Sequence, residues 1–162
     1  MPKIIHVIGF VGSGKTWFIS KFLRDFECFD IKDIYEEAGF EPGQLYNNPT
    51  AYAQFQGALE YKIDQLMNNL PDEWLVVESS GINRALNATL LKFLSYHIWV
   101  DQSIERIKEA GIYRSRPYAK SLNRVLAEKM QKGEITHDMV YSMEEQRFKS
   151  PLPPDLKKLF RA

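Results

Sequence analysis

The chain has 162 residues, 44% hydrophobic and 26% charged, enough for one globular domain with a sizeable core. Its formal net charge is zero, so the molecule as a whole has no field that gathers a polyanion, and no apolar run reaches the ~18–20 residues that span a bilayer. The single cysteine, Cys28, excludes an internal disulfide and a multi-cysteine metal centre and fits a reducing compartment.

The N-terminus runs directly into a strand-like segment without a leader sequence. These features predict one cytoplasmic domain, 1–162, with no membrane partner, and leave the oligomeric state open. The charge is unevenly placed: residues 1–101 hold 8 Lys/Arg against 13 Asp/Glu, whereas residues 103–132 hold 8 against 3.

In chain order, the first predicted element is a strand, KIIHVIGF (3–10), nearly continuous in apolar character, as strands covered on both faces are. The stretch Gly9-Phe10-Val11-Gly12-Ser13-Gly14-Lys15-Thr16 follows. It matches G-x-x-x-x-G-K-[ST] and opens a predicted helix, KTWFISKFLRDF (15–26). A glycine-rich turn from strand to helix brings backbone N–H groups and the positive end of the helix to bear on one anion. Gly9, Val11, Gly12, Ser13, Gly14, Lys15 and Thr16 therefore form a candidate cradle for a nucleotide's phosphates. Lys15 is placed to bridge the β- and γ-phosphates and Thr16 to put its hydroxyl on Mg²⁺. Trp17 reads as a packing residue or as a stacking face for the base.

The second predicted strand, FECFDI (26–31), contains Cys28, expected to be a buried, inert thiol. It ends at two acids, Asp30 and Asp33. At the carboxyl edge of a parallel sheet a carboxylate can orient an attacking hydroxyl or accept its proton; Asp30, nearer the strand end, is the favoured candidate. A long helix follows over 50–70, with Thr50 expected as its cap and Phe55, Leu59, Ile63 and Leu66 as its apolar stripe. The third strand, EWLVVES (73–79), ends at Glu78, a candidate Mg²⁺ ligand with Thr16. Beyond Ser79-Ser80-Gly81 comes Arg84, a planar donor suited to an acceptor-side phosphate.

After a short helix (87–94), the fourth strand, YHIWVD (96–101), leads to a helix expected to close at Gly111. The segment 111–120 carries Arg114 and Arg116 between Tyr113 and Tyr118. A mobile basic loop there can close over phosphates, exclude water and spread transition-state charge. Residues 121–162 read as a helical extension, with a break at Gly133 and a proline-rich stretch at 150–155. No clear fifth strand is visible. His6 and His97 read as satisfied strand residues. Strands alternating with helices predict a three-layer α/β/α sandwich on a parallel sheet.

Over about residues 3–132, the glycine loop, the acids after strand two and the arginines after strand four resemble the P-loop kinases of nucleosides, nucleotides and small metabolites. The resemblance implies a sheet order of 2-3-1-4, with a fifth strand lost or unrecognised, and transfer of the γ-phosphoryl group of ATP, with Mg²⁺, to a nucleoside, nucleotide or other nucleobase-bearing or small-molecule acceptor. GINR (81–84) is similar to the Gly-x-x-Arg piece that holds the acceptor phosphate in nucleoside monophosphate kinases. In the deoxynucleoside kinases a glutamine on the helix before this strand reads the base, which implies that role for Gln54 or Gln56. The chain is also similar to phage kinases that modify hydroxymethylated pyrimidines in DNA, which makes DNA a possible partner of the basic 103–132 segment. An ATP-driven motor or clamp is a further alternative. A GTPase switch is disfavoured, because neither Asn-Lys-x-Asp nor Asp-x-x-Gly occurs.

Overall fold

The computed structural model describes residues 2–37, 39 and 48–160; residues 1, 38, 40–47 and 161–162, the last two within the predicted C-terminal extension, lie outside the described part. The elements follow in the order β1 (Lys3–Ile8), α1 (Lys15–Phe22), β2 (Glu27–Asp30), α2 (Ile31–Glu37), α3 (Pro49–Asn68), β3 (Trp74–Ser79), α4 (Arg84–Leu90), β4 (Leu94–Asp101), α5 (Ile104–Glu109), α6 (Ile112–Ser115), α7 (Tyr118–Gln131), β5 (Met139–Ser142), β6 (Arg147–Phe148) and α8 (Pro154–Lys157).

The sheet order is β2-β3-β1-β4-β5-β6. The first five strands run parallel and β6 pairs antiparallel to β5. The order 2-3-1-4 is as expected, and the fifth strand lies inside the region predicted to be helical. Residues 139–148 form the β5–β6 hairpin instead of helix. With Met139, Val140 and Tyr141 between Asp138 and Ser142, the strand is too short to show a period. Its stability comes from pairing Ile98–Asp101 of β4 with Met139–Ser142 and from burying Met139 and Tyr141.

Handedness distributes the helices. The β1-to-β2 connection moves across the sheet one way, and the later parallel connections move the other way. Right-handed crossovers then place α1 on one face and the later connections on the opposite face. On the α1 side, Ile5, Val7, Val76, Ile98 and Val100 pack with Phe18, Ile19, Leu23 and Leu156. Opposite them, Ile4, Leu75 and Val77 pack with Phe55, Leu59 and Ile63 of α3. The central strands β1 and β3 alternate their apolar side chains between two covered faces. The switch in direction falls between β1 and β3, and so opens a crevice at their carboxyl ends.

Local signals start the helices. Asn48, not Thr50, caps α3: its Oδ1 accepts from Ala51 N–H at 3.1 Å, with Pro49 at the first helical position. Asn83 caps α4 and Ser103 caps α5 in the same way. The helix predicted at 87–94 lies at 84–90, and Leu94 already belongs to β4. Gly111 and Gly133, at φ 79° and 69°, end α5 and α7 where expected. Cys28 departs from expectation: it is exposed on edge strand β2. Partial desolvation and the carboxylates of Glu78, Asp30 and Asp33 push its thiol up to about 12, so it is nonetheless a poor nucleophile.

A polar chain crosses the sheet beneath the crevice. His6 is 1% exposed; its Nδ1 lies 2.9 Å from Nδ1 of His97, and its Nε2 lies 2.6 Å from Ser79 Oγ. Ser79 Oγ also accepts from Gly81 N–H at 3.1 Å. Burial, with His97 beside it, pulls the His6 pKa down to about 3. Between that value and the ordinary ~6.5, the unfolded chain binds a proton that the folded chain refuses. The His6 contribution to stability is complete above the ordinary value and is lost as pH falls towards 3. Urea unfolding between pH 7 and 4 is expected to show stability falling with acid, and His6→Gln to reduce the slope by up to about 1.4 kcal/mol per pH unit. An unchanged slope in the variant contradicts this account.

Candidate phosphoryl-transfer site

The crevice is a cleft of about 670 Å³, walled by the β1–α1 loop, the ends of β2 and β3, and the turn into α7. Its floor is the glycine loop. A Cβ on Gly9 would lie 2.8 Å from the backbone oxygen of Val100 and 2.8 Å from Ser13 Oγ, so only glycine lets β1 leave the sheet this close to β4. Gly14, at φ 103°, is the N-cap residue of α1 and offers no side-chain cap. A Cβ there would meet Met143 Cε at 2.7 Å. The first N–H groups of α1 therefore face the cleft without a side-chain acceptor, and its first turn holds no acid.

Ser13 lies behind the cradle: it is 1% exposed, its Oγ has no hydrogen-bond partner among the described residues, and it is not among the residues that line the cleft. The feature that fits the cradle to a phosphate is Lys15. Lys15 donates from Nζ to the carbonyls of Gly9 and Phe10, both at 2.9 Å, and so holds its cation inside the loop. Burial pulls the Lys15 pKa down to about 8, against the raising pull of Glu78 and Asp30.

The two flanking strand ends bring the acids in. Asp30 and Glu78 are register partners on β2 and β3. Glu78 Oε1 accepts from Thr16 Oγ1 at 3.2 Å. Burial raises the Glu78 pKa, Asp30 raises it further, and Lys15 and Thr16 oppose the rise. Thr16 and Glu78 thus present a hydroxyl and a carboxylate side by side, a donor set suited to Mg²⁺, a hard cation that takes oxygen ligands and keeps much of its water. Asp30 Oδ1 accepts from Lys32 N–H at 2.9 Å, and the Lys32 ammonium stands 3.7 Å from Oδ2.

The structure sorts the other candidates. Asp30 and Arg116 line the cleft; Asp33 and Arg114 do not, and both are exposed, on α2 and α6. Val11 borders the cleft, but its N–H is donated to Asn123 Oδ1 at 2.8 Å, which removes it as a phosphate donor. Trp17 is 39% exposed and absent from the cleft wall; the Lys21 ammonium covers its ring at 4.9 Å. Arg84 is exposed at the start of α4, away from the cleft lining. Gln54 is exposed, and Gln56 bonds Glu60 at 3.4 Å one turn along α3. The helix presents its buried stripe of Phe55, Leu59 and Ile63 to the core instead, so neither glutamine reaches the cleft.

Three contributors escape a motif search. Lys32 and Tyr35 sit one and four residues into α2 and line the cleft beside Asp30. Lys32 stands in the stretch that supplied the candidate acids, so its neighbourhood was visible though its role was not. Asn123, fully buried on α7, grips the loop at two points: besides accepting from Val11 N–H, it donates Nδ2 to Val11 O at 3.0 Å. Its only sequence signal is an amide on the buried face of an amphipathic helix, 112 residues away in sequence.

No family model matches the sequence, and no curated protein matches it. Among solved structures, the chain is similar to a sugar kinase from Janibacter sp. (TM-score 0.58, 13% identity, covering 96% of this chain and 89% of that one). It is also similar to the shikimate kinase of Acinetobacter baumannii in complex with shikimate (0.54, 18%, 98% and 89%) and to a gluconokinase from Sinorhizobium meliloti (0.52, 14%, 98% and 87%). The chain has the fold of the P-loop kinases. Among the described residues, no helix is long and apolar enough to cross a membrane.

Removing the Asn123 side chain leaves the Val11 N–H and C=O without partners. Asn123→Ala is expected to lower stability by about 1–3 kcal/mol and to speed hydrogen exchange at the Val11 amide by tenfold or more. Wild-type protection at Val11 contradicts the clamp.

Proposed function

We propose that this protein is an ATP-dependent kinase that transfers a phosphoryl group to a hydroxyl of a small acceptor bound between the ends of β2 and β3. The observation that carries this reading is the convergence of an uncapped helix N-terminus, the Lys15 ammonium and the Thr16–Glu78 pair on one cleft that also holds Asp30. The loop amides of Gly12, Gly14, Lys15 and Thr16 and the Lys15 ammonium bind the donor's phosphates; Lys15 exchanges its two carbonyl partners for phosphate oxygens. Thr16 and Glu78 hold Mg²⁺, which when bound offsets the negative charge of the phosphates.

Asp30 accepts a hydrogen bond from the acceptor hydroxyl and takes its proton as the oxygen attacks. The bond from phosphorus to the bridging oxygen of the donor breaks as the new bond forms, and the nucleoside diphosphate leaves with its charge facing Lys15 and Arg116. Lys32 holds Asp30 in orientation through its N–H and its ammonium. Arg116, at the turn between α6 and α7, supplies charge from the outer wall and helps to keep water from the phosphoryl group.

The acceptor is a compact hydroxylated molecule. The sugar kinase, shikimate kinase and gluconokinase of like fold are named for acceptors of that kind. Nucleobase recognition has less support, because Gln54, Gln56 and Arg84 stand off the cleft wall.

Lys15→Ala is expected to reduce turnover at least about 100-fold while the melting temperature stays near that of the wild type. Asp30→Asn is expected to slow the chemical step about 100-fold or more with little change in nucleotide affinity, and Asp33→Asn to leave the rate within a factor of two. Rates come from ATP-dependent phosphorylation of a panel of sugars, polyols, hydroxy acids and nucleosides. Equal effects of the two aspartate variants overturn the role given to Asp30.

A further inference from the structure

The basic segment after β4 has two faces, and only one serves the cleft. Arg116, Tyr118 and Leu122 border the cleft. On the opposite side of α7, a second concavity of about 550 Å³ is enclosed by α5, α6 and α7, and it shares no lining residue with the first. Lys108, Lys120 and Arg124 ring it, over a floor that includes Ile104, Pro117 and Ala127. No carboxylate pairs with any of these three cations among the described residues. Lys120 and Arg124 are four apart on α7, a like-charge spacing that destabilises a helix unless an anion sits between them. Pro117, the N-cap residue of α7, lines the groove and offers no side-chain cap.

Tyr113 and Asn123 join this groove to the phosphate loop. Both line it. Asn123 Nδ2 donates to Tyr113 Oη at 3.3 Å while the same amide grips Val11. The Tyr113 hydroxyl proton is committed to no acceptor among the described residues. An anion in the groove can accept that proton. Doing so makes the phenolic oxygen a better acceptor for Asn123 and tightens the grip on Val11.

We propose that this groove binds a small phosphate-bearing effector, and that the Tyr113–Asn123–Val11 chain couples its occupancy to the geometry of the phosphate loop. Because coupling between sites is reciprocal, an effector that steadies the loop binds more tightly when the loop is filled.

The test is titration of the isotopically labelled full chain with inorganic phosphate, followed by NMR. Saturable shifts are expected at the amides of Lys120, Ser121 and Arg124 and at the side-chain amide of Asn123. They persist in Lys15→Ala, which separates them from phosphate in the loop and makes the outcome independent of the kinase reading. In Lys120→Ala/Arg124→Ala, with a wild-type melting temperature, groove affinity is expected to fall about tenfold or more, one tenfold step being 1.4 kcal/mol. In Tyr113→Phe the Ser121 shift remains and the Asn123 response disappears. Shifts confined to residues 9–16, or unchanged in the double variant, overturn the site. An Asn123 response that survives in Tyr113→Phe overturns the coupling. Salt-sensitive binding of an oligonucleotide without any response to phosphate overturns the small-effector assignment.

Discussion

A backbone that gathers amide protons around a point must find its rigidity elsewhere, because those amides cannot also bond to one another. The β1–α1 loop meets this constraint with one backbone bond of its own, Ser13 N–H to Phe10 O at 3.1 Å, with Lys15 on the Gly9 and Phe10 carbonyls, and otherwise from outside. Gly9 is wedged against the Val100 carbonyl, and Ile112 and Met143 press against Gly12 and Gly14. Asn123 takes the N–H and carbonyl of Val11. The donors left unspent at the start of α1, with the Lys15 ammonium beside them, suit a polyanion. Every other feature of the site is arranged around that shape.

The charges follow the same logic. Glu78 sits beside Asp30 at the ends of neighbouring strands, where partial burial and the Asp30 carboxylate work against ionising Glu78. Lys15, Lys32 and the Thr16 hydroxyl offset this without neutralising it. The cleft therefore has unequal halves. One side, Thr16 with Glu78, suits a divalent cation, and the other, Asp30 with Lys32, suits a hydroxyl that must lose a proton. Sheet topology sets this placement, because the β2–β3 register puts Asp30 beside Glu78 and the parallel order puts both beside the loop.

The parts legible in the sequence were those in which one local run carries its own reason. The glycine loop, four strands with continuous apolar character, and the glycine ends of α5 and α7 are of this kind. Asp30 was legible because a strand end defines where ligands meet a parallel sheet. The parts that were not legible depend on partners distant in sequence. β5 is four residues long and owes its existence to β4. Asn123 is an ordinary polar residue on a helix until the fold sets it against Val11. Gln54 and Gln56 rest on analogy, Arg84 on a local reading of the loop before it, and none of the three lines the cleft. Cys28 was misjudged because β2 is an edge strand, a fact of sheet order and not of composition.

The segment from α5 to α7 borders both concavities. It seats Ile112 on the loop, supplies Arg116 to one cavity and Lys120 and Arg124 to another, and carries the asparagine that braces the cradle. The most direct measurement of the central claim is calorimetric titration of the wild-type chain with a non-hydrolysable nucleoside triphosphate and Mg²⁺, paired with its melting temperature. One equivalent should bind, and the protein should gain about 2.7 kcal/mol of stability when the ligand is at 100 times its Kd. No binding heat and no stabilisation at millimolar nucleotide would mean that the loop is not a phosphate cradle.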